Sequence, residues 1–373
     1  MAKILILGGG FGGVVAAERL AGELSDEHQI TLVSRSRDFV FYPALVRLAF
    51  GRCHREDVLF DLRRTLLGRR INFIEAEVAR IDPAQRTVTV AHGEVQGKLS
   101  YDFLIYGLGR RLATELIPGF YENALHLLNV EGALQFGAAV GAFKGGHAVV
   151  GQCEGARLPV PIYETAFALS RLLEKRGLSD RSVITVVSPE SSGSQTDDPD
   201  VEIALTRSLA AHSINFLPNF PIDRVQPGLV STKDGSAVNF DLLMLLPPFQ
   251  GSSVASHLGI TNTGYINVDW AMRVVGVERM YAVGDCVNFS GPKMGHMAIR
   301  QAEVAATNVA AEIEGHEPIT HYVHEIRSVL DDGGQSVYIH KDIWTNEPAD
   351  ISKGRFWSWA KQAQEKYWKA AHS

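Results

Sequence analysis

Short apolar runs that end in glycine alternate with amphipathic stretches along most of the chain. The first run, KILIL at 3–7, leads into glycines and then into a stretch with helical periodicity at 14–24. A second apolar run at 29–33 completes a strand, a helix and a strand in that order. Elements that alternate in this way are typical of a parallel sheet covered by helices, so the pattern predicts an α/β fold.

The alternation continues through the rest of the chain, where a polar loop rich in Ser, Asp and Pro is expected at 189–200. A second α/β unit begins with the segment 147–177. The pattern predicts further strands at 71–77, 87–91, 101–109, 182–188, 242–246 and 280–286, and helices at 56–67 and 297–313.

The glycines after the first strand have the spacing that holds the pyrophosphate of a dinucleotide. Gly8 permits a tight turn, Gly10 lets the backbone approach the phosphates, and Gly13 lets the next helix pack against the strand. The N–H groups at the start of that helix then point at the anion. A glycine-rich turn that binds nothing is the alternative interpretation.

The end of the second strand departs from this pattern. Where an acid usually binds the ribose hydroxyls, the chain has Ser34 and then Arg35. These side chains suit a ribose oxygen and a phosphate or adenine, and they equally suit a solvated loop.

Composition and charge exclude several function classes. The chain has 373 residues, 46% of them hydrophobic, and a formal net charge of −6, which argues against nucleic-acid binding. A chain of this length suits two or three domains. Cys53, Cys153 and Cys286 form neither a disulfide framework nor a metal-ligand pattern, so we expect a reducing, cytoplasmic location and no metal.

Five motifs follow one another in an order that resembles a known enzyme family: GGGFGG, FVFYPALVRLAFG, YDFLIYGLG, GDC and GPKMGHM. The chain resembles the FAD-dependent pyridine nucleotide-disulfide oxidoreductases, and within them the branch of sulfide:quinone oxidoreductases and type II NADH dehydrogenases. The resemblance implies an α/β fold with two Rossmann-like dinucleotide-binding domains (three-layer ββα) and a C-terminal helical, membrane-associating segment. It divides the chain into an FAD domain in two segments (1–112 and 247–318), a second dinucleotide-type domain (113–246) and a C-terminal interface segment (319–373).

The resemblance also implies which residues hold FAD. Asp285 follows the late strand and would accept a hydrogen bond from a ribityl hydroxyl, or else cap the following helix. Lys293 would lie near the pyrimidine end of the flavin, or else be an exposed loop lysine. The predicted FAD contacts are Gly8, Gly10, Phe11, Gly12, Gly13, Ser34, Arg35, Pro43, Gly107, Gly109, Gly284, Asp285, Lys293 and Gly295.

The electron donor is where the chain departs from the family. The second domain carries GQCEGAR at 151–157 in place of GxGxxG, and Glu154 adds negative charge that disfavours NAD(P)H. Leu158 stands at the position of the first redox cysteine of the sulfide-oxidising branch. No cysteine follows Cys286, although the family expects the second near 329–334, so the thiolate pair is absent.

Three residues are candidates for catalysis. Cys153 is a lone thiol near a helix N terminus, although a cysteine at a strand end is more often a small core residue. Glu164 matches a glutamate beside the flavin in the family and would assist proton movement, or else cap or salt-bridge its own helix. Lys293 would stabilise negative charge on reduced flavin.

Tryptophan is concentrated at the C terminus. Four of the five tryptophans, Trp344, Trp357, Trp359 and Trp368, lie in the last thirty residues. Helical spacing over 353–369 groups five apolar residues on one face, with lysines mainly elsewhere: Phe356, Trp359, Ala360, Ala363 and Tyr367. This pattern predicts that 344–369 contacts a membrane interface, which would bring the flavin to a quinone. Packing on the protein's own body or across a homodimer interface is the alternative.

Three functions are consistent with these features. The first is a peripheral-membrane enzyme on the cytoplasmic face that uses FAD to pass electrons from a small-molecule donor to a quinone. The second is an NAD(P)H:quinone oxidoreductase, with NAD(P)H as a second cofactor. The third is a non-catalytic FAD-binding protein that acts as a redox sensor or partner.

Overall fold

A computed structural model of the chain describes residues 1–191, 198–255, 258, 263–332, 336–345 and 347–372. The N-terminal elements are β1 (Lys3–Leu7), α1 (Phe11–Glu23), β2 (Gln29–Ser34), β3 (Asp38–Val40), α2 (Leu45–Ala49), β4 (Leu59–Asp61), α3 (Leu62–Leu66), β5 (Ile71–Asp82), β6 (Thr87–Gly93), β7 (Gly97–Ser100), β8 (Phe103–Tyr106) and β9 (Arg110–Leu112). The middle of the chain forms α4 (Phe120–Asn123), α5 (Val130–Ala142), β10 (Gly146–Gln152), α6 (Val160–Lys175), β11 (Ser182–Val187), α7 (Pro199–Ala211), β12 (Ile214–Leu217), β13 (Ile222–Gln226), β14 (Leu229–Thr232), β15 (Ala237–Asn239) and β16 (Leu242–Leu246). The remaining elements are β17 (Phe249–Gly251), β18 (Met280–Ala282), α8 (Gly295–Ile313), β19 (Glu325–Leu330), β20 (Ser336–Asp342), β21 (Asp350–Gly354) and α9 (Arg355–His372).

The first large sheet joins the beginning of the chain to a strand from its last third. Its order is β18-β8-β1-β2-β5-β6-β7, and β18 pairs in parallel with β8, which pairs in parallel with β1. Strand β1 is buried from Ile4 to Leu7, which explains its unbroken apolar run. Because the carboxyl ends of parallel strands share one edge of a sheet, the glycines after β1, β8 and β18 meet there.

The second large sheet is parallel throughout, in the order β12-β11-β10-β16. Helix α6 connects β10 to β11, and α7 connects β11 to β12, as expected for a Rossmann-like unit. The chain leaves the first large sheet through β9 and returns to it through β17. These two strands pair with each other as an antiparallel ribbon. The predicted α/β fold with two such units is confirmed, whereas the division into domains stays a prediction.

The segment at 56–67 does not form the single helix that its pattern predicts. Strand β4 lies within it and pairs with β3, so that the buried rings of Phe39 and Phe60 face each other. Helix α3 begins only after Asp61, whose carboxylate accepts hydrogen bonds from the first backbone N–H groups of that helix. The prediction was wrong because burying Phe60 in an antiparallel strand pair outweighs local helical periodicity.

The C-terminal part adds a small antiparallel sheet, β19-β20-β21, and the predicted helix, α9. The sequence pattern predicted the helix but not the sheet. Of the polar loop predicted at 189–200, residues 192–197 lie outside the described part, and Asp198 caps α7. No helix within the described ranges is long and apolar enough to cross a bilayer.

Candidate functional site

The turn after β1 can be made only by glycine. The Gly8 N–H donates to the Val33 carbonyl at 2.8 Å, and Gly8 has φ of +104°. A Cβ on Gly8 would lie 2.1 Å from the Gly107 carbonyl oxygen, at the end of β8. Both the left-handed backbone and the close approach of the two chains therefore exclude a side chain.

The next glycines bring α1 against the sheet. A Cβ on Gly13 would lie 1.8 Å from the Gly8 carbonyl oxygen, and one on Gly12 would lie 2.9 Å from a methyl group of Val283. Val283 follows β18, so α1 touches both the first and the last segment of the sheet. These two glycines serve the helix packing that the motif predicts.

Close packing explains why Gly8, Gly12 and Gly13 are glycines, but it does not explain Gly10. Apart from its neighbours along the chain, no atom of the described residues would lie within 4 Å of a Cβ on Gly10. Gly10 is the N-cap of α1, where no side chain caps the helix and the first turn carries no acidic residue. The first N–H groups of α1 thus adjoin open space at the positive end of a helix dipole, an arrangement that fits the phosphates of a dinucleotide.

A second helix begins beside the first. Helix α8 starts at Gly295, where a Cβ would lie 3.3 Å from the ring of Phe11, the first residue of α1. The backbone N–H of Gly284 donates to Gln301 Oε1 at 2.7 Å, which ties the turn after β18 to α8. The fold therefore brings two helix N termini, and the turn that carries Asp285, to one place.

Asp285 is paired within the protein. Its carboxylate lies 3.1 Å from Arg110 Nε, and the Arg110 guanidinium lies over the Phe249 ring at 3.9 Å. The Asp285 side chain keeps 26% exposure. It does not cap α8, because the N-cap of that helix is Met294. That alternative for Asp285 was wrong, since the chain runs through a separate loop before α8 begins.

Lys293 is buried, so its interpretation as an exposed loop lysine was wrong. The side chain is 6% exposed, its ammonium group donates to the Val287 carbonyl, and it lies over the Tyr265 ring at 5.1 Å. Burial, assisted by repulsion from Arg157, lowers the pKa of Lys293 to about 7. This group therefore changes charge near neutral pH.

The loop that carries Lys293 is held by the second glycine-rich loop. Arg157 Nε donates to the Gly291 carbonyl at 2.7 Å, and the Lys293 N–H donates to the Arg157 carbonyl at 2.6 Å. Arg157 also donates to the Phe289 carbonyl. The second glycine-rich loop stands where a nicotinamide dinucleotide would be expected to bind. In this chain it supports the loop 289–293 instead.

This second loop lacks the features that make the first one an anion site. Strand β10 ends at Gln152, and α6 begins only at Val160, with Pro159 as its N-cap and Pro161 inside its first turn. Proline has no N–H to offer, so fewer donors face a ligand here than at α1. Glu154 is exposed on the same loop.

Cys153 lies in an apolar cluster that includes Phe120, Val187 and Leu245. Its side chain is fully buried, and burial raises the pKa of its thiol. A reactive cysteine needs the opposite shift, toward thiolate. The environment supports the interpretation of Cys153 as a core residue rather than a catalytic thiol.

Glu164 forms an ion pair with the C-terminal helix. Its side chain is 10% exposed and accepts a hydrogen bond from Lys361 of α9. The carboxylate raises the pKa of Lys361, in opposition to the effect of burial. The salt bridge expected as an alternative role therefore exists, but it joins α6 to α9 rather than bracing α6 itself.

The remaining predicted contacts lie around the first helix. Ser34 is buried, and its Oγ lies 2.7 Å from the position of a Cβ on Gly9. Arg35 and Pro43 are exposed. Gly107 and Gly109 frame the end of β8, where Gly109 has φ of +69°. Whether any of these residues touches a nucleotide stays a prediction.

Sequence reasoning missed two arginines that shape the site, Arg110 and Arg157. Arg110 directly follows a glycine turn, and a charged residue at that position was the available signal. Arg157 stands in the atypical glycine loop, where only the contacts of the folded chain reveal its partners.

Helix α9 has two different faces. Its inner face packs on the body of the protein through Trp357, which stacks on Tyr338 at 4.0 Å, and through Lys361 and Trp368. The outer face carries an aromatic stripe whose exposed fractions are 61% for Phe356, 65% for Trp359 and 76% for Tyr367. Three of the five residues on the predicted apolar face therefore point away from the protein, whereas Ala360 and Ala363 are half-buried.

Comparisons with known proteins agree with these features. A family model described as pyridine nucleotide-disulphide oxidoreductase matches residues 2–152 and 163–306. Sulfide-quinone reductase of Aquifex aeolicus (strain VF5) is 27% identical over 341 residues, 85% of this chain and 78% of that protein. Type II NADH:quinone oxidoreductase of Staphylococcus aureus (strain NCTC 8325 / PS 47) is 22% identical over 345 residues, 84% of this chain and 83% of that protein.

The fold is shared with a solved structure. Sulfide:quinone oxidoreductase from the hyperthermophilic bacterium Aquifex aeolicus superposes with a TM-score of 0.91 at 24% identity, covering 100% of this chain and 92% of that chain. At this level of identity the likeness establishes the fold alone. The family model covers most of the chain and spans both sheets. The chain therefore belongs to the pyridine nucleotide-disulphide oxidoreductase family, as its motifs predicted, and is an oxidoreductase.

Proposed function

We propose that the protein is an FAD-dependent oxidoreductase that passes electrons from a small donor to a membrane quinone. The observation that carries this proposal is the convergence of the N termini of α1 and α8 at Phe11, beside the open space at Gly10. A pyrophosphate suits such a place because it is anionic and needs close backbone approach. Two relatives are named for quinone reduction, one with sulfide and one with NADH as donor.

Residues of this chain have separate tasks toward the cofactor. FAD, when bound, supplies the two-electron chemistry. The N–H groups after Gly10 hold the pyrophosphate, and the partly exposed Asp285 accepts a hydrogen bond from a ribityl hydroxyl while Arg110 fixes its orientation. Lys293 supplies a buried ammonium group where negative charge develops during reduction.

Glu164 is the proposed proton-handling residue. Its carboxylate is buried at the start of α6 and contacts the Lys361 ammonium group. Quinone reduction consumes protons, and a buried carboxylate between the protein interior and the C-terminal helix suits that need. Its role rests on the resemblance to a family glutamate beside the flavin.

The aromatic stripe of α9 is proposed to lie in the membrane interface. Phe356, Trp359 and Tyr367 are exposed together, and the exposed Lys366 lies beside them. Aromatic rings with flanking lysines favour the boundary between headgroups and acyl chains, where a lipid-soluble quinone is within reach. A homodimer through this stripe, the cytoplasmic location and the domain division remain predictions.

A small reduced sulfur species is the donor that this chain favours over NAD(P)H. The prolines at the start of α6 and the exposed Glu154 make the second loop a poor site for a second pyrophosphate. The sulfur reaction cannot use the usual cysteine pair, because Leu158 stands in place of one member and no cysteine follows Cys286. Because the usual cysteine pair for sulfur oxidation is absent, an NAD(P)H:quinone oxidoreductase is the second candidate.

Anaerobic titration of the yellow purified protein tests the proposal. Sulfide and NADH are added separately, bleaching of the flavin absorbance is recorded, and a short-chain quinone is then added to restore the colour. Bleaching by sulfide and recovery with quinone are expected. Bleaching by NADH alone selects the second candidate, and a yellow protein that neither donor reduces selects the non-catalytic FAD-binding partner. A colourless protein that takes up no FAD refutes all three.

A further inference from the structure

The first turn of α1 packs its side chain on the C-terminal helix as well as on Phe39 and Phe41. That turn reads Phe11, Gly12, Gly13, so Phe11 supplies its one side chain. The Phe11 ring lies 5.0 Å from the Trp368 ring of α9, between centroids, and 5.0 Å from the Phe39 ring. Trp368 also stacks on Phe39 at 5.8 Å and lies 6.4 Å from Phe41.

Polar contacts of the residues that follow Trp368 hold it in this aromatic cluster. Lys369 forms an ion pair with Asp57, and the carbonyl of His372 accepts a hydrogen bond from Thr65. His372 stacks on Trp368 at 4.0 Å. The last turns of α9 are therefore fixed to the segment 57–65, which carries β4 and the start of α3.

The indole N–H of Trp368 has an unusual environment. It is buried and has no hydrogen-bond partner among the residues that the structure describes. Buried tryptophans usually find a partner for this group, since leaving it unpaired costs free energy. The indole therefore lies here at a cost that its ring contacts with Phe11 and Phe39 must offset.

We infer that Trp368 is a positioning residue of the nucleotide site, acting through Phe11 to fix the first turn of α1. The inference rests on the proposed binding of FAD. Glycines give this turn much conformational freedom, which binding of an anion must remove. Packing of Trp368 against the Phe11 ring lowers this entropic cost and keeps the N–H groups of the first turn directed at the phosphates. Detachment of α9 is therefore expected to speed loss of the cofactor.

Release of FAD from the full-length holoprotein tests this inference. Free FAD is followed by its fluorescence after dilution, in the absence of lipid. Trp368→Ala is expected to speed release by about tenfold, the loss that one or two aromatic contacts imply. Trp368→Phe keeps a ring against Phe11 and is expected to recover most of the retention. Trp359→Ala, on the outer face of the same helix, is expected to leave the release rate unchanged.

A second measurement separates positioning from stability. If Trp368 positions the nucleotide site, Trp368→Ala reduces the increase in thermal midpoint that FAD confers on the apoprotein. If Trp368 only stabilises the fold, apoprotein and holoprotein lose the same number of degrees and release is unchanged, which overturns the inference. Trp368→Leu keeps the apolar volume should the alanine variant not fold, and the same outcomes apply to it. A wild-type protein without FAD would overturn the proposed function itself, which is a distinguishable failure.

Discussion

Replacing Gly10 with alanine separates binding of the cofactor from folding. Gly10 has φ of −86° and ψ of −172°, which alanine adopts without strain. Beyond the two adjoining residues, the described part of the chain has no atom within 4 Å of a Cβ there. Alanine is a poorer N-cap than glycine, at a cost of roughly 1 kcal/mol. It also stiffens the unfolded chain, which returns about 0.4–1 kcal/mol. We therefore expect the free energy of unfolding of the apoprotein to change by less than about 1 kcal/mol.

The effect on FAD is expected to be much larger. The added methyl group enters the space through which the phosphates approach the N–H groups of α1. Loss of one charge-assisted hydrogen bond is worth about 1.5–3 kcal/mol, which weakens FAD binding roughly ten- to hundredfold. Fluorescence titration of the apoprotein with FAD measures the affinity, and urea unfolding of the same samples measures the stability.

Gly13→Ala is the matched control, because its Cβ would lie 1.8 Å from the Gly8 carbonyl oxygen and must disturb the fold itself. It should lower stability and affinity together. An unchanged FAD affinity in Gly10→Ala would show that the open space is not where the phosphates bind, and the reasoning behind the site would fail.

Three further predictions concern charges and the outer stripe. Lys361→Met strands the buried Glu164 carboxylate and should cost about 3–5 kcal/mol in urea unfolding, whereas Lys366→Met should cost almost nothing. Glu164→Gln in the Lys361→Met background should restore part of that loss, and purely additive costs would contradict a coupled pair. Trp359→Ala should weaken binding to anionic lipid vesicles by roughly 1–2 kcal/mol in a sedimentation assay without changing the thermal midpoint, and equal binding would refute the membrane role. Lys293 has a pKa of about 7 in the folded chain, against an ordinary value of 10.5. Between pH 7 and pH 10.5 the unfolded chain therefore holds one more proton than the folded chain, so the free energy of unfolding should rise with pH over this range. Urea midpoints at pH 7 and pH 9 measure this rise, and Lys293→Met should show less of it; parallel curves would disprove the assignment.

Local patterns predicted much of the fold because the physics there is local. The apolar run of β1 and the glycines after it determine a buried strand, a tight turn and a closely packed helix with little help from distant residues. The prediction of a helix at 56–67 was wrong because Phe60 is buried against Phe39, a contact that no local periodicity reveals. The sheet β19-β20-β21 was missed for the same reason, since its strands are stabilised by pairing with one another.

The sequence by itself determined the nucleotide motif, the family and the grouping of aromatic residues on one face of α9. It also determined what chemistry the chain lacks, because a missing cysteine pair is visible without coordinates. Only the tertiary structure decided that Asp285 pairs with Arg110, that Lys293 is buried and that Trp368 packs on Phe11. These contacts join residues that are far apart along the chain, and burial, charge and pKa are properties of such neighbours rather than of the residue alone.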